Sequence, residues 1–277
     1  MTSDIRSIMH PTDFSDLSIN AFVHALKIGL TVKTKLYVLH IAERRNEDPR
    51  HAFPHVRQTL ARWGLFDENQ LPSELTPKLG IKVAKVEVES QDHVTGLLRF
   101  LARHPSDLMV LGTHGREGLP RWLRPSIAEA MSRRSANQTL FISAQCRGFV
   151  DQANGAIKLK RILVPVDHSS PPATGLRAVK QFCRILAGKE AIFHVVHVGA
   201  RAPALKSEAS SPVPVELRSG NVVDGIVQAA ADVEADLIGM ATAGHNGILD
   251  AFRGSTTERV LRKAPCPVLA VPIVGSR

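Results

Sequence analysis

The chain contains one motif twice. Ile8-Met9-His10-Pro11-Thr12-Asp13-Phe14-Ser15 returns in character as Ile162-Leu163-Val164-Pro165-Val166-Asp167-His168-Ser169, more than half of the 277 residues further on. A period that long means two copies of a whole domain, not a solenoid of short repeats. Other segments follow in the same order: Leu36 to Ile41 is answered by Phe193 to Val198, and Asp107 to Gly112 by Asp236 to Ala241. The copies lie 154 residues apart at Asp13 and Asp167 but 129 apart at Gly115 and Gly244, so the first holds about 25 extra residues. The expected organisation is a first domain over 1–147 with an insertion at about 43–80, a connector over 148–158 and a second domain over 159–277. The connector is marked by Gly148, Asp151, Gln152, Asn154 and Gly155, which cluster without periodicity.

Each copy alternates short apolar runs with helical patterns, the signature of βαβ units and a parallel sheet. Strands are expected near 5–10, 35–41, 82–88, 107–112 and 139–143, and near 161–166, 191–198, 213–218, 236–241 and 267–272. Between them Ala21, Phe22, Ala25 and Leu26 fall at helical spacing, as do Leu97, Leu98 and Leu101, and Val223, Ile226, Val227 and Ala230. Leu108 to Leu111 is apolar throughout, as a strand covered on both faces requires. The fold class is therefore α/β, two tandem doubly wound, Rossmann-like domains. A possible short helix is expected around Val56, Leu60 and Trp63 in the insertion.

Open parallel sheets bind ligands outside the carboxyl ends of their strands, where the winding reverses. The repeated residues stand there. After strand one comes Asp13 or Asp167, which can accept hydrogen bonds from a base or ribose or, equally, form an Asx turn with Ser15 or Ser169. After strand four, Gly112-Thr113-His114-Gly115 is followed after nine residues by Pro125-Ser126, and Ala241-Thr242-Ala243-Gly244 after nine by Gly254-Ser255. Glycines admit backbone amides close to an anion, so the pattern can cradle a phosphate. The same residues also start capping boxes, Ser126 with Glu129 and Ser255 with Glu258, that a helix uses without a ligand.

With these motifs both halves resemble the universal stress protein family, whose pattern is Pro-x-Asp after strand one and Gly-x-x-Gly, nine residues, then Gly-Ser or Gly-Thr after strand four. The resemblance implies sheets of order 3-2-1-4-5, paired through strand five as an internal pseudo-dimer. It also implies an adenine nucleotide, ATP foremost, with magnesium as an accompanying ion. The implied site in the second half is Pro165, Val166, Asp167, Val198, Met240, Ala241, Gly244, Gly254, Ser255 and Thr256, with Ala241 in place of the first glycine. In the first half it is Pro11, Thr12, Asp13, Ile41, Leu111, Gly112, Gly115 and Ser126, with Pro125 in place of a glycine. Pro125 removes an amide donor, so the second half is favoured.

Three functional classes stay open: a nucleotide-binding regulator of the stress response, a nucleotide-free scaffold with decayed glycine motifs, and a slow ATPase. Adenylyl transfer is disfavoured, because neither an S-G-G-x-D-S loop nor an H-x-G-H pair follows strand one. The net charge of +9 is shared between the halves and accompanied by one Tyr and two Trp, which suits a phosphate-bearing small molecule better than nucleic acid. A homodimer is a further possible partner state. No metal site is expected, since His194 and His197 fall on opposite faces of a strand. Three dispersed cysteines, no export signal and no apolar run of roughly 18–20 residues lead to the expectation of a cytoplasmic protein without membrane attachment.

Overall fold

The computed structural model describes residues 5–43, 53–113, 137–144, 146–168, 172–188, 190–206, 211–243 and 256–273. The first half holds strands β1 (Ser7–Pro11), β2 (Lys35–Ala42), β3 (Lys82–Glu89), β4 (Leu108–Thr113) and β5 (Gln138–Ser143), with helices α1 (Asp16–Val32), α2 (Val56–Arg62), α3 (Leu75–Leu79) and α4 (His93–Arg103). The second holds β6 (Arg161–Pro165), β7 (Ile192–Val198), β8 (Glu216–Arg218), β9 (Leu237–Ala243) and β10 (Val268–Ile273), with α5 (Pro172–Ala187), α6 (Val222–Asp232) and α7 (Thr256–Leu261). The expected strands are all present. β8 is shorter than the 213–218 run because Pro212 and Pro214 offer no amide to a neighbour.

All ten strands form one sheet in the order β3-β2-β1-β4-β5-β10-β9-β6-β7-β8. Each half has the order 3-2-1-4-5, and the halves join where β5 and β10 run antiparallel with Phe141 opposite Val268, Leu140 opposite Leu269 and Thr139 opposite Ala270. Leu140 and Leu269 are fully buried there. Two layers of apolar side chains cover the two faces, and each layer draws on both halves. No described helix is long and apolar enough to cross a membrane.

The amino ends of the central strands are anchored twice in the same way. Asp107 Oδ2 accepts from the amides of Arg6 and Ser7 at 2.8 and 3.0 Å, and Asp236 Oδ2 accepts from those of Lys160 and Arg161 at 2.8 and 2.9 Å. These amides precede or open β1 and β6, where the ladders to β4 and β9 have not begun. Replacing Asp236 by Ala strands two donors, and urea unfolding of that variant should show a loss of about 2 kcal/mol.

The connector is packed, not a loose tether. Phe149 and Val150 are buried, Val150 bridges Ile157, and the amides of both Phe149 and Val150 donate to Nε2 of His24 on α1, at 3.0 and 3.2 Å. The insertion grips it from the other side: Trp63 Nε1 donates to the Gln152 carbonyl at 3.1 Å. Gly155, at φ +69°, lies beneath the indole, where a Cβ would come within 2.6 Å of the ring. α2 takes up the expected helical positions of the insertion.

Candidate functional site in the second half

β6 and β9 are parallel neighbours only at Ile162/Leu237 and Leu163/Ile238; beyond these pairs they part. The chain leaves β6 through α5 to reach β7 and leaves β9 through α7 to reach β10, so the winding reverses at this gap. A crevice of about 380 Å³ opens there, within the range of roughly 300–1,000 Å³ typical of small-molecule sites. Val166, Val198, Ile226 and Met240 provide apolar walls, Asp167 lies at its exposed rim, and Thr256 and Thr257 line it from the start of α7.

The crevice is held in shape by backbone and histidine. The Val166 amide donates to the Val196 carbonyl at 2.9 Å, and His197 Nδ1 donates to the Val166 carbonyl at 2.8 Å. His40 makes the matching bond in the first half, from Nδ1 to the Thr12 carbonyl at 2.9 Å. This histidine on the second strand, present in both copies, belongs to the site architecture but was not among the expected site residues. Its signal lay in the repeat: His40 matches His197 one residue before Ile41 and Val198. Val198 in turn packs on Gly225 of α6, where a Cβ would come within 2.9 Å of it, as Ile41 packs on Gly96 of α4. Gly175 of α5 is also required: an added Cβ would meet the Ala241 methyl at 2.6 Å. The methyl that replaces glycine at 241 is thus accommodated by the lack of one at 175.

Seven of the expected second-half residues, Pro165, Val166, Asp167, Val198, Met240, Ala241 and Thr256, line this one crevice. Gly244, Gly254 and Ser255 lie outside the described residues, as do Gly115, Pro125 and Ser126 of the first half. Gly175, Leu176, Val196 and Val222 also line the crevice and carried no sequence motif.

The equivalent strand ends of the first half carry larger side chains among the described residues. β1 and β4 part after Met9/Met109, and the next residue, His10, is fully buried in the gap with Nδ1 donating to the Val110 carbonyl at 3.0 Å. Leu17 presses against Gly112, with its Cγ 3.2 Å from where a Cβ would be. Phe14, in the left-handed region at φ +65°, stacks on His40 with ring centres 4.0 Å apart, and Phe53 of the insertion meets it edge-on at 5.2 Å. A non-glycine residue there is strained, and the aromatic cluster holds it. Pro11, Thr12, Ile41 and Leu111 are buried.

Asp13 follows the Asx-turn alternative. Its Oδ1 accepts from the Ser15 amide at 3.1 Å, the Ser15 hydroxyl at 2.6 Å and the Ser18 hydroxyl at 2.5 Å. Burial by itself would raise its pKa, but these hydrogen bonds outweigh it and lower the carboxyl below its usual value. Among the described residues no group of three or more His, Cys, Asp or Glu is placed to hold a metal ion.

Comparison with known proteins agrees with this architecture. The model of the family described as "Universal stress protein family" matches residues 4–142 and 200–272. A universal stress protein of Thermus aquaticus is 41% identical over 76 residues, which cover 26% of this chain and 56% of that protein, so the alignment spans little more than half of that relative. Universal stress protein MJ0531 of Methanocaldococcus jannaschii is 25% identical over 144 residues, 45% of this chain and 74% of that protein. Among solved structures, a universal stress protein from Archaeoglobus fulgidus DSM 4304 superposes with a TM-score of 0.60 at 19% identity, covering 96% of each chain. A functionally unknown protein from Pseudomonas aeruginosa PAO1 superposes with a TM-score of 0.61 at 17% identity, covering 98% of this chain and 94% of that one. At these identities the superpositions establish the two-domain fold.

Proposed function

The chain belongs to the universal stress protein family, and from that premise we propose that it binds one adenine nucleotide, ATP foremost, in the crevice of its second half, and acts as a nucleotide-dependent regulator. The observation that carries this is the crevice at the winding reversal of the second half. It leaves about 380 Å³ open and is lined by seven of the residues that the family pattern points to, whereas at the first-half position matching Val164 the larger His10 is fully buried against the Val110 carbonyl. In this reading the adenine lies between Val166 and Val198 on one side and Met240 on the other. Asp167 accepts from the ribose, and the phosphates lie toward Thr256 and the glycine motif. Magnesium enters as the counter-ion of the phosphates, since the described residues offer no ligand cluster of their own.

The first half is then the structural partner, completing the sheet through β5. A regulator is the leading reading: the first aspartate is engaged by Ser15 and Ser18, and in the crevice the imidazole of His197 is committed through Nδ1 to the Val166 carbonyl. The test is to extract purified protein with acid, identify any nucleotide released, and titrate ATP into wild type and Asp167→Ala by calorimetry. One site per chain is expected, weakened about tenfold in the variant, which corresponds to about 1.4 kcal/mol. No nucleotide in the extract and no heat at millimolar ATP would favour the nucleotide-free scaffold.

A further inference from the structure

The insertion of the first half does more than cover the core. Between α2, α3 and β3 it encloses a second cavity of about 590 Å³ on the edge of the sheet. It is remote from the strand ends that form the crevice, because Lys85 in its wall pairs in register with Val38, in the middle of β2. Its floor is apolar, formed by Val56, Leu75 and Val83. Two permanent cations, Arg57 and Lys85, line it together.

Neither cation has a carboxylate partner among the described residues. Arg57 Nη1 donates to the backbone carbonyls of Glu68 and Gln70 at 3.2 and 3.4 Å, contacts that orient the guanidinium without neutralising it. Glu68 also lines the cavity, and its carboxylate forms no ion pair with either cation among the described residues. Lys85 is exposed over much of its length, but desolvation and then repulsion from Arg57 lower its pKa. Two like charges held in one concave wall repel each other unless an anion lies between them. The second half lacks the insertion, and so the helices α2 and α3 that build this wall.

We propose that this cavity is a second ligand site, specific to the first half, that takes a small organic anion: one phosphate or carboxylate head on an apolar body. The head lies between Arg57, which offers its fixed fork, and Lys85, which adds a mobile point charge; the body lies on Val56, Leu75 and Val83. The proposal stands apart from the nucleotide reading, since no lining residue is shared between the two cavities.

Equilibrium dialysis of the full chain with naphthyl phosphate, naphthoate and uncharged naphthol tests it. Wild type should bind at least one of the two anions ten times more tightly than naphthol, and the preferred anion identifies the head. Arg57→Gln/Lys85→Gln should lose that preference, while the charge-conserving Arg57→Lys/Lys85→Arg should retain most of it. Both cations are exposed, so circular dichroism should show all variants folded. ATP titration of the Gln pair should match wild type, which separates this site from the crevice. Equal anion affinity in wild type and the Gln pair would overturn the proposal, as would equal affinity of wild type for the anions and naphthol.

Discussion

Acidification from pH 7 to pH 4.5 should destabilise the chain by about 2 to 3 kcal/mol for each of two buried histidines. Burial is the main cause in both, and it lowers the pKa of His10 and of His24 to about 4. For His10, the Val110 carbonyl, the Asp13 charge and the Ser18 backbone favour the proton but do not overcome burial. Its Nε2 is buried without a hydrogen-bond partner. For His24 the geometry adds a reason. Nδ1 donates to the Asn20 carbonyl at 2.8 Å, so Nε2 must remain a lone pair to accept from Phe149 and Val150. A proton there would face two N–H groups.

The sign follows from where each state takes up protons. Below pH 6.5 the unfolded histidines become charged while the folded ones stay neutral down to about pH 4. The contribution is therefore complete above pH 6.5 and is lost as pH falls toward 4. His10→Val isolates one of the two, because Val164 occupies the matching position in the second half. Urea unfolding at pH 7 and pH 4.5 should show the pH-dependent loss reduced by about half in the variant. An unchanged loss would place the acid sensitivity elsewhere.

Placing the buried histidine of the first half at the matching position of the second should abolish nucleotide binding. In Val164→His the imidazole would enter the gap between β6 and β9 as His10 enters that between β1 and β4, and would reach the Gly239 carbonyl as His10 reaches that of Val110. Val164 lines the crevice, so the added ring takes volume that the proposed ligand needs. ATP affinity should fall about a hundredfold or more, or about 3 kcal/mol. The readout is calorimetric titration alongside a thermal melt, because a buried imidazole also costs stability at low pH. Retention of wild-type affinity in the folded variant would place the nucleotide elsewhere.

Much of the fold was legible because its signals are local. The strands of both halves are short apolar runs with one pattern repeated in order, and the turn after β1 is fixed by Thr12, Asp13 and Ser15 themselves. The early end of β8 was legible in principle, since Pro212 and Pro214 remove amides by covalent structure alone. The site was legible in part. Asp167, Val198 and Ala241 are separated widely along the chain, yet each sits at a strand end that the repeat identifies. Gly175 and His197 were not read as site residues, because what gives them a role is a contact across the fold: the methyl of Ala241 against one, the carbonyl of Val166 against the other.

By itself the sequence determined a duplicated α/β chain, the location of its strand ends and the asymmetric loss of two glycines, since each depends only on the order and spacing of residues. The tertiary structure decided how the strand ends of the second half enclose a crevice. That outcome rests on Gly175 of α5 and Ala241 of β9 meeting across the gap with one methyl between them, and on His197 reaching the Val166 carbonyl. Convergence of this kind is a property of packing, where a single methyl placed within 3 Å of another must move something, and no linear pattern encodes it.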